Sequence, residues 1–218
     1  MIYWHVETLE ATNLAAYESL LTTEEALVFA RLPHGARRAE WLRGRAVAKQ
    51  LLQRYLLTQA GAAPDASTIS ILPNAAGAPQ VTVNGARLPV ALSISHSGDA
   101  AFCALTSAAD GRVGVDMEGI APRDEAFLRD FFSNEEQAFV REQATHERDT
   151  FITAIWCAKE AYYKALGTGL PLETRAIICI PARAPGDWAP VRIEGASAGA
   201  WQASWRSWRG YVLVLVAG

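Results

Sequence analysis

Two long helical patterns constrain the fold of this chain more than any other feature of its sequence. Apolar residues recur at three- and four-residue spacing over residues 37–60 and again over residues 149–166, and a glycine ends each run. Strand-like stretches precede and follow both helices, so the order strand, long helix, strand-rich segment occurs twice. No sequence repeat is strong enough to prove a duplication. We therefore predict an α+β fold, and the order of elements indicates two similar halves.

The composition is that of a globular protein with an uneven distribution of charge. The chain can form one large domain or two domains of about 100 residues each. Its net charge of −3 does not indicate a nucleic-acid-binding protein. Residues 31–54 nevertheless hold seven basic side chains against one acidic one, and residues 116–136 hold seven acidic against two basic ones. One segment therefore attracts anions and another attracts cations.

Cysteine usage and the terminal segments predict a cytoplasmic protein that does not associate with membranes. Cys103, Cys157 and Cys179 are far apart and form no Cys-x-x-Cys pair, so we expect buried free thiols rather than disulfides or a zinc site. The N-terminus has no basic stretch followed by an apolar run, as a signal peptide would have. The longest apolar run, residues 212–217, is too short to cross a bilayer.

Two acidic motifs carry residue types that suit metal and phosphate chemistry. Asp116 and Glu118 alternate on a predicted strand, so their carboxylates share one face, and Gly114 on the same face would leave room for a ligand. Glu160 and Lys164 are four residues apart on a predicted helix, so they are neighbours on one helix face. Alone, the first pair is also compatible with a solvated strand face and the second with a surface ion pair.

A third motif is the hydroxyl-rich turn that contains Ser95 and His96, within the letters S-I-S-H-S-G. A lone histidine in a turn is usually structural or faces solvent. The sequence contains neither the G-x-S-x-G motif of many hydrolases nor a glycine-rich loop of the nucleotide-binding types. Only the combination of the three motifs distinguishes a specific function from these structural explanations.

In order, the chain reads R-R-x-x-W-L-x-G-R, S-H-S-G, G-V-D-M-E, F-F-S-x-x-E and W-C-A-K-E-A-Y-Y-K-A-L-G-T-G-L, over roughly residues 30 to 170. This order resembles the 4′-phosphopantetheinyl transferases of the Sfp type. The resemblance implies an enzyme that moves the phosphopantetheine arm of coenzyme A onto a serine of an acyl, polyketide or peptidyl carrier protein and releases 3′,5′-ADP. It also implies two pseudo-symmetric α+β halves with the active site in the cleft between them.

The resemblance assigns a magnesium ion to Asp116, Glu118 and Glu160. Oxygen ligands suit Mg²⁺, which would neutralise charge on the pyrophosphate of coenzyme A. Glu160 would also act as general base on the carrier serine, directly or through a metal-bound water. Lys164 would face the pyrophosphate, with Lys159 as a second candidate beside it.

Further residues are assigned by the same resemblance to coenzyme A and to the surroundings of the metal. Ser95 and His96 would contact phosphate, Arg38 would bind the 3′-phosphate, and Arg45 would assist it. Glu136 of the F-F-S-x-x-E element would be an outer partner of the metal site. The family often has Gly-Lys-Pro where this chain has Gly-Ala-Pro at residues 77–79. Either the arginines compensate for the missing lysine, or the affinity for coenzyme A is lower.

The resemblance also implies a division into residues 1–110, with the coenzyme A-binding helix, and residues 111–218, with the metal site, in a monomer. The carrier protein would dock near residues 119–133, where an apolar stripe includes Phe127, Leu128, Phe131 and Phe132. We expect Phe127 or Leu128 to be exposed for this contact, with Arg123 or Arg129 meeting acidic residues of the carrier.

Two other functions remain open from the sequence. The first is a non-catalytic scaffold that binds carrier proteins, favoured only by the alanine at position 78. The second is a metal-dependent phosphoesterase that uses the same carboxylates on another substrate. The sequence identifies neither the natural carrier nor the tolerance of acyl-coenzyme A donors.

Overall fold

A computed structural model describes residues 1–9, 14–171, 173–183, 187–195 and 200–218. The chain divides into two compact units, Met1–Val113 and Gly114–Gly218. Within the described residues, no helix is both long enough and apolar enough to span a membrane. Each unit combines helices with antiparallel strand pairs, and the predicted α+β class is confirmed.

The described part of the N-terminal unit has two sheets and one long helix. In chain order its elements are β1 (Tyr3–Thr8), α1 (Leu14–Glu18), α2 (Thr23–Arg31), α3 (Ala36–Ala60), a 3-10 turn (Ala66–Thr68), β2 (Ile69–Pro73), β3 (Pro79–Val83), β4 (Ala86–Arg87), β5 (Val90–Ser97) and β6 (Ala100–Ser107). The sheets have the antiparallel orders β1-β6-β5 and β2-β3-β4. Helix α3 packs its apolar side chains against β1, β5 and β6.

The described part of the C-terminal unit has one sheet and one long helix. Its elements are β7 (Val113–Gly119), α4 (Glu125–Phe131), α5 (Asn134–Arg141), α6 (Arg148–Leu166), a 3-10 turn (Thr174–Ala176), β8 (Ile178–Pro181), β9 (Ala189–Glu194), β10 (Gln202–Trp208) and β11 (Tyr211–Ala217). The strand order is β7-β11-β10-β9-β8. Helix α6 packs against β8, β10 and β11, and this contact forms the core of the unit.

Local sequence patterns define the ends of the long helices and of the last hairpin. Helices α3 and α6 lie where the apolar spacing predicts them, and Gly61 and Gly167 end them in the left-handed conformation, with φ of 73° and 72°. A hairpin joins β10 to β11 at the C-terminus. Its turn residues, Arg209 and Gly210, both have positive φ, as a two-residue turn between twisted strands requires.

A buried ion pair holds the N-terminal unit together around α2. Thr22 and Glu25 form a capping box at the start of this helix. The Glu25 carboxylate also accepts a backbone hydrogen bond from Ile71 at 3.0 Å and lies 2.6 Å from the Lys49 ammonium. Lys49 donates further to the carbonyl of Ala66 at 3.0 Å. Helix α2, helix α3 and strand β2 are thereby joined through one fully buried pair.

The C-terminal unit contains the same arrangement around α5. Ser133 and Glu136 form the capping box, and Glu136 accepts from the backbone of Cys179 at 2.8 Å. The Lys159 ammonium of α6 lies 3.0 Å from Glu136 and donates to the carbonyl of Thr174 at 2.8 Å. Both side chains are fully buried. The two units therefore share the order of their main elements. In each unit, a buried ion pair of its own connects a short helix, the long helix and a strand.

Candidate active site

The C-terminal unit brings strand β7 and helix α6 into backbone contact at Gly114. A Cβ atom at this position would collide with the carbonyl oxygen of Ala161 and would lie 2.5 Å from the amide nitrogen of Ala165. The expectation that Gly114 leaves room for a ligand is therefore wrong, because the space is filled by the helix. The close approach places the next residues on that face of β7 beside the last turns of α6.

Asp116, Glu160 and Lys164 meet where this strand and this helix touch. Asp116 is buried, and its Oδ1 lies 2.6 Å from the Nζ of Lys164. The same Nζ lies 3.8 Å from Oε2 of Glu160, whose side chain is one quarter exposed. The two acidic motifs singled out in the sequence thus form one cluster in the structure, and Lys164 is the ammonium that bridges it.

Burial and two neighbouring carboxylates raise the affinity of Glu160 for protons. Burial and the neighbouring charge of Asp116 raise the pKa of Glu160 to about 7; Lys164 opposes the shift, and Glu118 adds to it. Burial alone would lower the pKa of Lys164, but Asp116 and Glu160 outweigh it and raise this pKa. Burial also raises the pKa of the Cys157 thiol, with Asp116 and Glu118 as further causes. The cluster is therefore a place of concentrated negative charge.

This donor set suits a hard divalent cation. Its oxygens belong to Asp116, Glu118 and Glu160, and burial together with the charges of the other two carboxylates raises the pKa of Glu160. Among the described residues, no three His, Cys, Asp or Glu side chains stand in an arrangement that would already hold a metal. The Lys164 ammonium lies between Asp116 and Glu160 instead, so a metal would require it to move away.

An aromatic cluster adjoins Glu160. The Trp156 side chain donates a hydrogen bond to the Glu160 carboxylate. Its ring lies 5.2 Å from that of Phe127 and 5.3 Å from that of Phe131. The expectation that Leu128 is exposed is wrong, because it lies in the core at 6% exposure. Phe127 is half-buried and packs against the same core, so only part of its side chain is available to a partner. Trp156 lies one helical turn before Glu160, so the sequence already predicts that these two side chains are neighbours.

In the N-terminal unit, an arginine that sequence reasoning missed holds the histidine turn. Arg43 is buried and donates from Nη1 to the carbonyl of Gly98 at 3.0 Å. A Cβ on Gly44 would lie 3.5 Å from Cδ2 of His96, so α3 passes close to β5 there. His96 keeps about one third of its side chain exposed, and its Nδ1 lies 3.8 Å from Oε2 of Glu40. Ser95, one residue earlier, is buried.

The two arginines selected from the sequence differ in exposure. Arg38 is half-buried in the first turn of α3, with its guanidinium 4.0 Å from the ring centre of Phe29. Arg45 keeps only 12% of its side chain exposed and donates from Nε to the carbonyl of Ile71 at 3.0 Å. Ala78 lies in the turn between β2 and β3, where its amide donates to the Asn74 side chain.

Comparison with known proteins identifies the family. Residues 112–216, which include the carboxylate cluster, match the model of the 4′-phosphopantetheinyl transferase superfamily. The chain belongs to this superfamily. The resemblance found in the sequence is thereby confirmed.

Relatives in the superfamily are similar over parts of their length. The 4′-phosphopantetheinyl transferase psf-1 of Bacillus pumilus is 35% identical over 78 residues, 36% of this chain and 32% of that protein. AcpT of Salmonella typhimurium is 33% identical over 146 residues, 66% of each chain. HetI of Nostoc sp. is 24% identical over 190 residues, 86% of this chain and 74% of that protein. The chain thus spans 32% of psf-1 and 66% of AcpT.

Solved structures that match part of this chain include a holo-(acyl-carrier-protein) synthase from Bacillus anthracis, determined in complex with coenzyme A (3′,5′-ADP). It is 18% identical, has a TM-score of 0.41 and covers 49% of this chain and 93% of its own. The synthase from Neisseria meningitidis is 17% identical, has a TM-score of 0.40 and covers 49% of this chain and 95% of its own.

Within this member of the phosphopantetheinyl transferase superfamily, two site assignments made from the sequence need correction. Lys159 is fully buried, and its ammonium is held by Glu136 and by the carbonyls of Thr174 and Ile177. It therefore has no exposed surface for coenzyme A. Glu136 is equally buried in this pair, so its carboxylate supports the fold rather than the metal ligands. We carry neither residue over to the proposed site.

Proposed function

We propose that this chain transfers the 4′-phosphopantetheine arm of coenzyme A to a serine of an acyl, polyketide or peptidyl carrier protein, with release of 3′,5′-ADP and in dependence on Mg²⁺. The observation that carries the proposal is the cluster of Asp116, Glu160 and Lys164 within the segment that matches the family. The three cysteines are free and buried, which suits the cytoplasmic location that we also propose. A monomer is proposed as well.

Asp116, Glu118 and Glu160 would hold the magnesium ion. When bound, the ion supplies positive charge that stabilises the pyrophosphate under attack and the departing phosphate. Lys164 would exchange its contact with Asp116 for one with a pyrophosphate oxygen. His96, which is partly exposed at the end of β5, would donate to phosphate from the N-terminal unit, and the buried Ser95 would support the strand that carries it. Arg38 would bind the 3′-phosphate, and the buried Arg45 would support it.

In the transfer, the serine oxygen of the carrier forms a bond to the β-phosphorus of coenzyme A, and the bond from this phosphorus to the oxygen shared with 3′,5′-ADP breaks. The proton of the serine goes to Glu160. Bound Mg²⁺ would lower the pKa of this carboxylate below the value of about 7 that it has without the ion, so Glu160 would be ionised and able to accept a proton at neutral pH. The half-buried Phe127 would contact the carrier beside this site.

The proposal is tested by mass spectrometry of carrier proteins. The purified chain is incubated with coenzyme A, Mg²⁺ and a panel of apo carriers, and the expected result is addition of one phosphopantetheine group per carrier, abolished by EDTA and restored by Mg²⁺. Binding of carriers without modification would indicate the scaffold function. Hydrolysis of coenzyme A without modification would indicate a phosphoesterase. Full transfer in excess EDTA would overturn the metal assignment.

A further inference from the structure

Four flat side chains form a continuous stack at the start of α3. The guanidinium of Arg38 lies 4.0 Å from the centre of the Phe29 ring. Phe29 and Trp41 are stacked, with ring centres 5.8 Å apart and planes 28° from parallel. The guanidinium of Arg45 lies 4.4 Å from the centre of the Trp41 ring. Each of the two rings therefore contacts the other ring and one cation, and both cation–π contacts are favourable.

The inner end of this stack is fixed in the core of the N-terminal unit. Arg45 donates to the carbonyl of Ile71 at 3.0 Å and lies 3.9 Å from Oε1 of Glu25, the fully buried member of the capping box. Phe29 is only 6% exposed. Because Arg45 is tied to the backbone and to Glu25, it anchors the rings, and its small exposed surface leaves little for a ligand.

The outer end of the stack is Arg38, which is half-buried and has Nη1 3.3 Å from Nδ1 of His34. A guanidinium contacts a ring with its face and donates hydrogen bonds from its edge, so stacking on Phe29 does not compete with binding a phosphate. A flexible arginine loses conformational freedom when it binds an anion. An arginine already held against a ring loses less, and so binds the anion more tightly.

We propose that Phe29 and Trp41 are positioning residues that hold Arg38 and thereby set the preference of the enzyme for a donor with a 3′-phosphate. This inference rests on the proposed function, because it concerns how that site selects coenzyme A. It assigns Arg45 to the anchored end of the stack and Arg38 to the end that meets the ligand.

The test compares coenzyme A with dephospho-coenzyme A as donors, through the ratio of their kcat/KM values. The parent is expected to prefer coenzyme A at least about tenfold, since a charge-assisted contact is lost in the other donor. Phe29→Leu keeps an apolar side chain but removes the ring, and we expect the preference to fall about three- to tenfold. Phe29→Tyr keeps the ring and should retain the parental ratio. Both donors are measured on the same preparation, so partial unfolding cancels from the ratio.

A double-mutant cycle shows whether Phe29 acts through Arg38. Arg38→Ala should abolish most of the preference, and adding Phe29→Leu should then change the ratio no further. The matched pair Trp41→Phe and Trp41→Leu repeats the comparison at the second ring of the stack. Only Trp41→Phe is expected to retain the preference for coenzyme A. An unchanged ratio in Phe29→Leu, or an equal loss with and without Arg38, would overturn the inference. If the parent transferred phosphopantetheine from neither donor, the proposed function would be overturned instead.

Discussion

The anchored lysines allow the two units to be compared position by position. Lys49 on α3 and Lys159 on α6 make the same buried contacts to a capping-box glutamate and to a following 3-10 turn. Five residues further along each helix lies a basic residue, Arg54 in one unit and Lys164 in the other. Each of these side chains contacts the first strand of its own unit: Arg54 contacts His5 of β1, and Lys164 contacts Asp116 of β7.

These contacts align the first strands of the units as well. Lys164 lies 2.6 Å from Asp116 of β7, and Arg54 donates to Nδ1 of His5 at 3.1 Å. His5 therefore occupies in β1 the place that Asp116 occupies in β7. Two residues later each strand carries a glutamate: Glu7 follows His5, and Glu118 follows Asp116.

The residue after the anchored lysine differs between the units. In the C-terminal unit it is Glu160, and its pKa is raised to about 7. In the N-terminal unit it is Gln50, whose Oε1 lies 3.1 Å from Nε2 of His5. One scaffold thus supports three carboxylates in one unit, and a histidine, a glutamine and a single carboxylate, Glu7, at the matching positions of the other. The carboxylates at two of these positions, Asp116 and Glu160, distinguish the candidate active site from its counterpart.

The residues at the contact between helix and first strand also differ. Counted from the matched strand and helix positions, Gly114 and Ala165 correspond to Tyr3 and Tyr55. In the C-terminal unit the backbones touch there, whereas in the N-terminal unit the two tyrosine rings contact each other, with centres 5.2 Å apart. The backbone contact at Gly114 brings Asp116 within reach of the last turns of α6.

The largest effect is expected from making the C-terminal unit resemble the N-terminal one. Glu160→Gln places at this position the residue that its counterpart already has. Transfer should fall at least about 100-fold, because both a metal ligand and the proton acceptor are lost. The rate of carrier modification under saturating coenzyme A measures the effect. Gln50→Ala is the matched control and should retain transfer; activity of Glu160→Gln within about tenfold of the parent would contradict the assignment.

The shared anchors predict the next largest effect, on stability. Lys49→Met and Lys159→Met each leave a buried glutamate without its nearest cation, and each should lower the free energy of unfolding, by about 3–5 kcal/mol for Lys159→Met in urea denaturation. The loss should be smaller for Lys49→Met, because Arg45 still lies 3.9 Å from Glu25. A Lys159→Met variant with parental stability and a higher KM for coenzyme A would instead restore the role expected from the sequence.

The smallest effect is the dependence of stability on pH. The pKa of Glu160 is raised from 4.5 to about 7 in the folded chain, so its ionised form destabilises the fold above pH 7, and this penalty declines as the pH falls through 7 towards 4.5. In EDTA, Glu160→Gln should therefore be more stable than the parent by about 1–3 kcal/mol at pH 8, and much less so at pH 5. The same advantage at both pH values would show that the pKa of Glu160 is not raised in the folded chain.

The parts of this structure that local patterns determine could be predicted from the sequence. Helices α3 and α6 follow from their apolar spacing and terminal glycines, and the pairing of Glu160 with Lys164 follows from helical geometry. Positions that depend on contacts distant in the sequence could not. Lys159 and Lys164 lie on one helix and carry the same charge, and only packing against Glu136 shows that the first is structural.

A local signal could have corrected the assignment of Glu136. The letters S-x-x-E before an apolar helix are a capping box, and T-x-x-E at Thr22 and Glu25 is its counterpart in the other unit. Read in this way, both glutamates belong to helix starts. The stack of Phe29 and Trp41 carries no comparable signal, because it joins two helices whose relative position depends on the tertiary fold.

The backbone contact at Gly114 has a consequence for anyone who maps this protein by random mutagenesis. Any substitution there must push α6 away from β7, and with it Glu160 and Lys164, although the residue itself has no chemical group to lose. In a screen for loss of function, Gly114 would be recovered alongside Asp116 and would be mistaken for a reacting residue. Abundance of the folded protein, scored together with activity, would separate a position that sets a distance from one that binds or reacts.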